Sequence, residues 1–472
     1  MNSKALKSSS VNKKTIHIIF IVAMFVGFLV SSLLYIKSYK IIFPIINALI
    51  LLSHFFVFKG KYRIYALFLY MPFIIFFNYK PLGVGSFYSY IIIFYCVIVL
   101  IEKLFSIKNI EKKDFIRLFI IASLAIYSIV LSLFFSGANG LIKSVSIFSY
   151  LVSIALIAID NHSLKNQTVL IVITLVGMVM SNLLACIVIY FLKGDFVYNF
   201  LNNFLAPVYY RQYINGNSSF RYPGLTGDPN YLGMNVIFVT SIVLINFKRL
   251  KYKVLICILT AILQVFPFLG ASRNYLMCLI LMIVVATFVM SIKIKKGWII
   301  SIGIYGTLLL VFLFFGNSLL SQVLLRIISV DSRESLINSL LSGRATLQAR
   351  YLSDYLLHPD SFIFGRGFGG SLLNGDSAHS IFVMSFRYFG IFGTILYYLY
   401  ISSFIDKRVC KENTLFIVPI ALLLIYGITI DYISYSEMTL FLLFIYYQSF
   451  FGVPKKIKIV SRLNYEGNSI SI

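Results

Sequence analysis

Apolar runs about as long as a membrane is thick recur along almost the whole chain. The hydrocarbon core of a bilayer is about 30 Å thick, and about 20 helical residues cross it. On that scale the sequence contains apolar runs at 15–36, 40–58, 63–79, 84–101, 115–135, 141–160, 168–192, 231–247, 252–270, 275–293, 297–316, 379–404, 415–430 and 436–452. Only 12% of the 472 residues are charged, whereas a soluble domain is about a quarter charged. The sequence therefore predicts an all-α, polytopic membrane helical bundle of about 14 transmembrane helices (12–14 in range) and excludes a water-soluble globule.

The distribution of lysine gives an independent test of this layout. Lysine and arginine collect in the cytoplasmic loops of membrane proteins. With the N-terminus inside, alternation of the runs places 22 lysines and five arginines on the cytoplasmic side, in short loops and at both termini. Because these charges cluster between apolar runs, the net charge of +25 does not indicate a nucleic-acid partner.

The predicted layout divides the chain into six regions. They are N-terminal transmembrane helices at 1–192, a first external loop at 193–230, central transmembrane helices at 231–316, a large external (periplasmic) loop domain at 317–378, C-terminal transmembrane helices at 379–452 and a cytoplasmic tail at 453–472. No small-residue cleavage signature follows the first apolar run, so we expect that run to be retained. Turn and amphipathic signals favour ordered structure in both external loops.

The large external loop contains a helical pattern of polar and aromatic residues. The members share one stripe of a short predicted helix and are Arg344, Gln348, Tyr351, Tyr355 and His358. Pro359 ends this helix, because the residue before a proline is biased away from the α region. The run Gly365–Gly370 resembles a phosphate loop, but no predicted strand precedes it, and we interpret it as a flexible turn.

From residue 200 onward, every basic residue on the predicted external side is arginine. These residues are Arg211, Arg221, Arg273, Arg326, Arg333, Arg344, Arg350 and Arg366, and Arg387 lies just inside the following span. The guanidinium group is a planar fork that binds phosphate oxygens in bidentate fashion. The pattern therefore indicates an outward-facing ligand that carries phosphate. Two plainer alternatives stay open, namely pairing with external acids and snorkelling to lipid headgroups.

Three local features mark candidate site residues. Asp228 fits an N-cap residue, because a proline follows it at the start of an apolar run. The capped helix N-terminus faces outward, has Asn230 in its first turn and is a candidate anion site. A plain capped helix is the alternative. Arg273 lies where the next span begins, and a charge so close to hydrocarbon is either functional or snorkelling. His379 lies where the large loop re-enters the membrane, where a neutral imidazole could accept a proton from a sugar hydroxyl. A hydrogen-bonded structural histidine is the alternative, and no external cluster has metal-ligand spacing.

Together these features resemble the superfamily of O-antigen polymerases and O-antigen ligases. The resemblance rests on four islands of sequence: Arg221 to Gly233, the pair Ser272–Arg273, Ser342–Gly343–Arg344, and the stretch from His358–Pro359 to His379–Ser380. Members of this family are glycosyltransferases that use no metal or other cofactor. They act on undecaprenyl-diphosphate-linked oligosaccharides at the outer face of the bacterial inner membrane.

The resemblance implies a role for each candidate residue. Arg273 and Arg344 would hold the diphosphate of the donor, Arg221 would be a further substrate-binding arginine, and His379 would activate the acceptor hydroxyl. Arg350, Arg366 and Tyr351 are expected to make additional substrate contacts, as are Asp228 and Asn230. The expected partners are the lipid-linked donor and acceptor, and a chain-length regulator is a further candidate partner.

Polymerase and ligase share the donor and differ in the acceptor. A polymerase transfers the growing glycan to another lipid-linked repeat unit, whereas a ligase transfers it to lipid A–core. The length of the chain and its many spans favour the polymerase. A flippase or another transporter stays open as a different class, but the sequence shows no internal repeat and its spans are nearly free of charge.

Overall fold

The structure, a computed structural model, is a bundle of α-helices. It describes residues 3–57, 61–77, 87–104, 112–160, 167–205, 210–211, 213, 221–270, 272–293, 344–368, 373, 377–431, 433 and 437–450. Within these ranges no strand element occurs, in agreement with the all-α prediction. The predicted span at 297–316 and the predicted tail at 453–472 lie outside the described residues.

The helices follow one another with short connections in most of the described chain. They are α1 (Ser3–Ser38), α2 (Ile42–Val57), α3 (Lys61–Tyr70), α4 (Phe87–Leu104), α5 (Lys112–Asp160), α6 (Gln167–Cys186), α7 (Asp195–Asn199), α8 (Pro229–Asn246), α9 (Lys253–Leu269), α10 (Arg273–Lys293), α11 (Ala345–Leu357), α12 (Pro359–Phe364), α13 (Ile381–Ser402), α14 (Lys407–Glu412), α15 (Val418–Gly427) and α16 (Glu437–Gln448). A 3₁₀ segment (Met71–Phe77) extends α3, and a π-helical turn (Ile187–Phe191) extends α6.

Five of the described helices are long and apolar enough to cross a membrane. They cover Ile19–Ser38, Lys112–Ile157, Gln167–Phe191, Pro229–Arg249 and Ile381–Ser402. Shorter apolar helices cover Ile42–Phe55, Arg63–Phe77, Phe87–Glu102, Lys253–Leu269, Asn274–Val285 and Thr414–Gly427. All of these segments overlap apolar runs predicted from the sequence. The chain thus has the composition and architecture of a helical membrane protein, and the count of fourteen spans stays a prediction.

Helix α5 consists of two antiparallel arms that meet at Gly137. The backbone of Gly137 has φ +59° and ψ −145°, a conformation that glycine adopts at no steric cost. Beyond this point Ser144 donates a hydrogen bond to Ser132 at 2.6 Å, whereas twelve residues of straight helix would separate the two by about 18 Å. The two arms coincide with the apolar runs predicted at 115–135 and 141–160.

Helix α13 also folds back, at Gly390. Gly390 has φ +61° and ψ −170°, and the rings of Phe382 and Tyr398 stack at 6.1 Å across it. Sixteen residues of straight helix would extend about 24 Å. The apolar run predicted at 379–404 therefore contains a bend. The hydrophobic pattern gives no sign of the turn, because both arms are apolar and a single glycine makes the bend.

The segment after α12 completes the hydrogen bonding at this bend. A helix that ends leaves its last carbonyl groups without partners inside the helix. The backbone N–H of Arg366 donates to the carbonyl of Arg387 at 2.7 Å, and that of Gly367 donates to the carbonyl of Tyr388 at 3.0 Å. Residues 365–368 are therefore packed against α13, and the expectation of a flexible turn is wrong for these four residues.

Gly390→Ala is expected to destabilise the protein by about 2–4 kcal/mol, because an alanine would combine backbone strain with a collision. Its Cβ would strike the carbonyl oxygen of Ile363 and the backbone of Phe364. Thermal unfolding of the purified protein measures the effect. Gly27→Ala in α1 is the matched control, because no heavy atom lies within 4 Å of its added Cβ. Equal unfolding temperatures for the two variants would contradict the bend.

Contacts at one end of the bundle join segments that the lysine pattern places together on the cytoplasmic side. Arg117 donates to the carbonyl oxygen of Ser403 at 2.8 Å and pairs with the buried carboxylate of Asp114 at 2.7 Å. Arg249 donates to the carbonyl oxygen of Ser449 at 3.0 Å. Both contacts therefore join segments that the lysine pattern predicts to lie on one side.

Candidate functional site

At the opposite end, predicted site residues gather around one short turn, residues 428–431, which follows α15. Its four consecutive carbonyl oxygens accept hydrogen bonds from three distant segments. The donors are the Gln348 amide to Ile428, the Arg344 guanidinium to Thr429, the Ile381 N–H to Ile430 and the Tyr231 hydroxyl to Asp431. The 428–431 turn is therefore the point where the starts of α8, α11 and α13 meet.

Helix α11 presents the predicted stripe to the bundle. Arg344 occupies its N-cap position, and Gln348 lies one turn further on, so both reach the 428–431 turn. Tyr351 and Tyr355 follow on the same side and are buried. The Tyr355 hydroxyl donates to the carbonyl oxygen of Val383 at 2.6 Å, and burial raises its pKa well above the usual value, so the donor stays protonated. The predicted stripe is confirmed for Arg344, Gln348, Tyr351 and Tyr355, whereas His358 is the exposed C-cap residue.

The start of α10 reaches the same turn through Asn274. The amide of Asn274 donates to the hydroxyl of Thr429 at 2.5 Å, and both side chains are buried. Arg273 is the first residue of α10, as predicted, and its side chain lies outside the described part of the structure. Sequence reasoning missed Asn274 and Thr429, since a single amide or hydroxyl at the edge of an apolar run gives no pattern.

Arg221 lies beside the N-termini of α8 and α10. Its Nε donates to the carbonyl oxygen of Gly270 at 2.9 Å, and a terminal nitrogen lies 3.5 Å from the Asn230 amide oxygen. That amide oxygen also accepts the Ser272 hydroxyl at 3.1 Å. The Asp228 carboxylate accepts the N–H of Asn230 at 2.6 Å, which confirms the predicted N-cap. Two of the four sequence islands are thus joined directly.

Tyr222 holds the backbone next to Arg221 in place. Its ring is fully buried. Its N–H donates to the backbone carbonyl oxygen of Leu269 at 3.3 Å, and its hydroxyl donates to the backbone carbonyl oxygen of Asn182 at 2.8 Å. Burial raises the pKa of Tyr222 well above its usual value, so the hydroxyl remains a donor at any physiological pH. The loop that carries Arg221 is therefore anchored between α6 and α9.

His379 lies two residues before Ile381, whose N–H binds the 428–431 turn at 3.2 Å. Two extended residues span about 7 Å, so the imidazole belongs to the same neighbourhood. The residue is half-buried, and its φ of +49° lies in the left-handed region. That conformation is uncommon outside glycine and persists where the surroundings enforce it, often at functional sites.

Sequence reasoning missed a buried carboxylate at the centre of the site. Asp431 is fully buried, and its oxygens accept the Tyr388 hydroxyl at 2.8 Å and the N–H of Ile433 at 3.1 Å. Half-buried Lys143, at the start of the second arm of α5, interacts electrostatically with it. The available signal was an acid immediately at the end of a predicted span, where charge is costly and often functional.

The structure does not bring Arg350 and Arg366 to this turn. Arg350 is exposed on α11. Arg366 lies 3.6 Å from the carboxylate of Asp360 and 5.2 Å from the ring centre of Phe135. Tyr351 is buried below the helix surface. Arg344 differs from these three residues because its guanidinium donates to the 428–431 turn, and Arg221 differs because it contacts Asn230 near the start of α8.

Parts of the predicted external loops lie outside the described residues, including 317–343 with Arg326 and Arg333. Pro359 ends α11 as predicted and is also the first residue of α12. Within the described part of the chain, no three His, Cys, Asp or Glu side chains are grouped so as to hold a metal ion.

The chemistry available at this end of the bundle is set by oriented cations. Arg221 and Arg344 are half-buried, and their guanidinium groups donate to the backbone carbonyl oxygens of Gly270 and Thr429. Cations fixed in this way favour a bound anion, and they are worth more in a partly dry site than in water.

Comparisons with protein-family models, with curated proteins and with solved structures found no match to this chain.

Proposed function

We propose that the protein is a surface-polysaccharide polymerase, a glycosyltransferase that acts on undecaprenyl-diphosphate-linked oligosaccharides. The observation that carries this proposal is that residues in or beside the four sequence islands bind the 428–431 turn, namely Tyr231, Asn274, Arg344 and Ile381. Arg344 and Arg221 come from segments more than a hundred residues apart, and each is fixed by backbone carbonyl oxygens at the same end of the bundle.

In this proposal the arginines stabilise the leaving group. The acceptor hydroxyl oxygen forms a bond to the anomeric carbon of the donor sugar as the bond from that carbon to the diphosphate oxygen breaks. Negative charge develops on the lipid diphosphate, where Arg344, Arg221 and Arg273 would hold it by preorganised electrostatics. His379 accepts the proton of the hydroxyl. Attack from the face opposite the leaving group inverts the anomeric configuration.

The proposed location is the bacterial inner membrane with the site on its periplasmic face. The lysine-rich loops then face the cytoplasm together with both termini, in an arrangement of about 14 spans. The 428–431 turn, the loop before α8 and the start of α10 all fall on the opposite side in that arrangement. A lipid-linked substrate in the outer leaflet would reach the arginines from the membrane.

The test uses purified protein in nanodiscs with the native lipid-diphosphate-linked repeat unit as sole substrate, and products are identified by mass. We expect a ladder that grows by whole repeat units and is insensitive to chelators. Transfer that occurs only after lipid A–core is added would identify a ligase instead. Inertness with both acceptors would contradict a glycosyltransferase and favour the transporter class.

A further inference from the structure

An ion pair lies at the far end of α11 from Arg344. The guanidinium of Arg387 and the carboxylate of Asp354 are 2.5 Å apart, and their side chains are only 8% and 17% exposed. Asp354 also lies 3.1 Å from the imidazole of His358, and Arg387 stands 5.8 Å from the ring centre of Tyr351. The pair is thus a fixed, mostly buried contact rather than a solvated surface pair.

The ion pair connects α11 to the short first arm of α13. Arg387 precedes the bend at Gly390 by three residues, and its carbonyl oxygen is held by the N–H of Arg366. The same arm begins at Ile381, whose N–H binds the 428–431 turn. The arm therefore contacts the turn at one end and α11 at the other.

These contacts hold both ends of α11 next to the proposed site. Arg344 at the start of α11 binds the 428–431 turn, and Asp354 lies ten residues further along the same helix, or about 15 Å. A helix of this length is stiff, so fixing its distant end sets the direction in which its first residue points. Tyr355 reinforces the distant end through its bond to Val383.

We propose that Asp354 and Arg387 are a positioning pair that holds α11, and through it Arg344, in register with the 428–431 turn. This inference rests on the proposed function, because it assigns the pair a role in placing the diphosphate-binding arginine. Neither residue is assigned contact with substrate. A displacement of about 1 Å in a substrate-positioning group can lower turnover by about 100-fold.

The test compares Asp354→Asn and Arg387→Gln with Asp360→Asn, which removes a 64% exposed carboxylate from the neighbouring helix α12. We expect each of the first two variants to lower kcat/KM by about 10- to 100-fold, with a higher half-saturating donor concentration. The double variant Asp354→Asn/Arg387→Gln should be no worse than either single one, since the residues act as a unit. The double variant leaves no uncompensated buried charge, so it replaces a single variant in the test if that variant fails to fold.

A second readout is independent of catalysis. Limited trypsin cleavage after Arg344, measured by mass relative to cleavage after exposed Arg408 at the other end, reports whether the start of α11 is released. We expect this ratio to rise severalfold in the Asp354 and Arg387 variants and to stay at the wild-type value in Asp360→Asn. Values equal to those of Asp360→Asn in both readouts would overturn the inference.

The two readouts distinguish a failure of the proposed function from a failure of the positioning role. If the wild-type protein makes no product while the cleavage ratio rises as expected, the proposed function fails and the positioning contact stands. If the wild-type protein makes the ladder while the variants keep normal kinetics and a normal cleavage ratio, the positioning role fails and the function stands.

Discussion

Arg344→Lys is expected to lower turnover by about 100-fold or more, even though it keeps the positive charge. The guanidinium of Arg344 binds the carbonyl oxygen of Thr429 and in the proposed mechanism faces the diphosphate with its planar fork. Lysine is a hydrated point charge that cannot keep both interactions in one plane. Loss of one preorganised donor to a developing anion typically costs about 10²–10³ in kcat. Initial rates of ladder formation in nanodiscs measure the loss.

The matched control for this substitution is Arg408→Lys. Arg408 is exposed on α14, in a loop predicted to be cytoplasmic, so the same chemical change there should leave the rate unaltered. The two proteins should have the same helical content and unfolding temperature. An Arg344→Lys enzyme as fast as the control would remove Arg344 from the proposed machinery.

His379→Asn is expected to lower turnover by about 10²–10⁴-fold, the usual contribution of a general base. Asparagine tolerates the left-handed backbone that His379 adopts, so the substitution removes the imidazole without straining the chain. Because the proposed base acts on the acceptor, we expect donor binding to change by less than about threefold. Single-turnover rates and donor titration separate the two effects.

His379→Ala provides the complementary comparison for the histidine. Alanine removes the imidazole and also adopts the left-handed conformation less readily than asparagine. Loss of activity in the alanine variant together with near-normal turnover in the asparagine variant would show that His379 matters for the backbone alone. The proposed proton transfer would then have to be abandoned.

The parts of the site that the sequence predicted share a local physical cause. Asp228 was recognisable because an acid directly before a proline that starts an apolar run fits an N-cap. The stripe on α11 was recognisable because polar and aromatic residues repeat with helical spacing between Arg344 and His358. Both signals are local, and the structure confirms the N-cap and the stripe from Arg344 to Tyr355.

The parts that the sequence did not predict depend on contacts between distant segments. Thr429 and Asp431 are central because four carbonyl oxygens of one turn meet donors from three separate helices, and no local pattern encodes that meeting. The bend in α13 depends on Gly390, whose lack of a side chain permits both its backbone angles and the approach of Ile363. Arg366, which is predicted as a substrate contact, lies near the carboxylate of Asp360 and the ring of Phe135.

The central claim, that the cluster at the 428–431 turn is a lipid-diphosphate site, is tested most directly by equilibrium binding. Purified protein in nanodiscs is titrated with polyprenyl diphosphate and with polyprenyl monophosphate, and bound lipid is counted by native mass spectrometry. We expect the diphosphate to bind at least about tenfold more tightly, since a second phosphate adds charge-assisted bonds to arginine. Arg221→Ala/Arg344→Ala should abolish this preference, and Arg408→Ala should keep it. Equal affinity for the two lipids, or a preference that survives in the double variant, would contradict the claim.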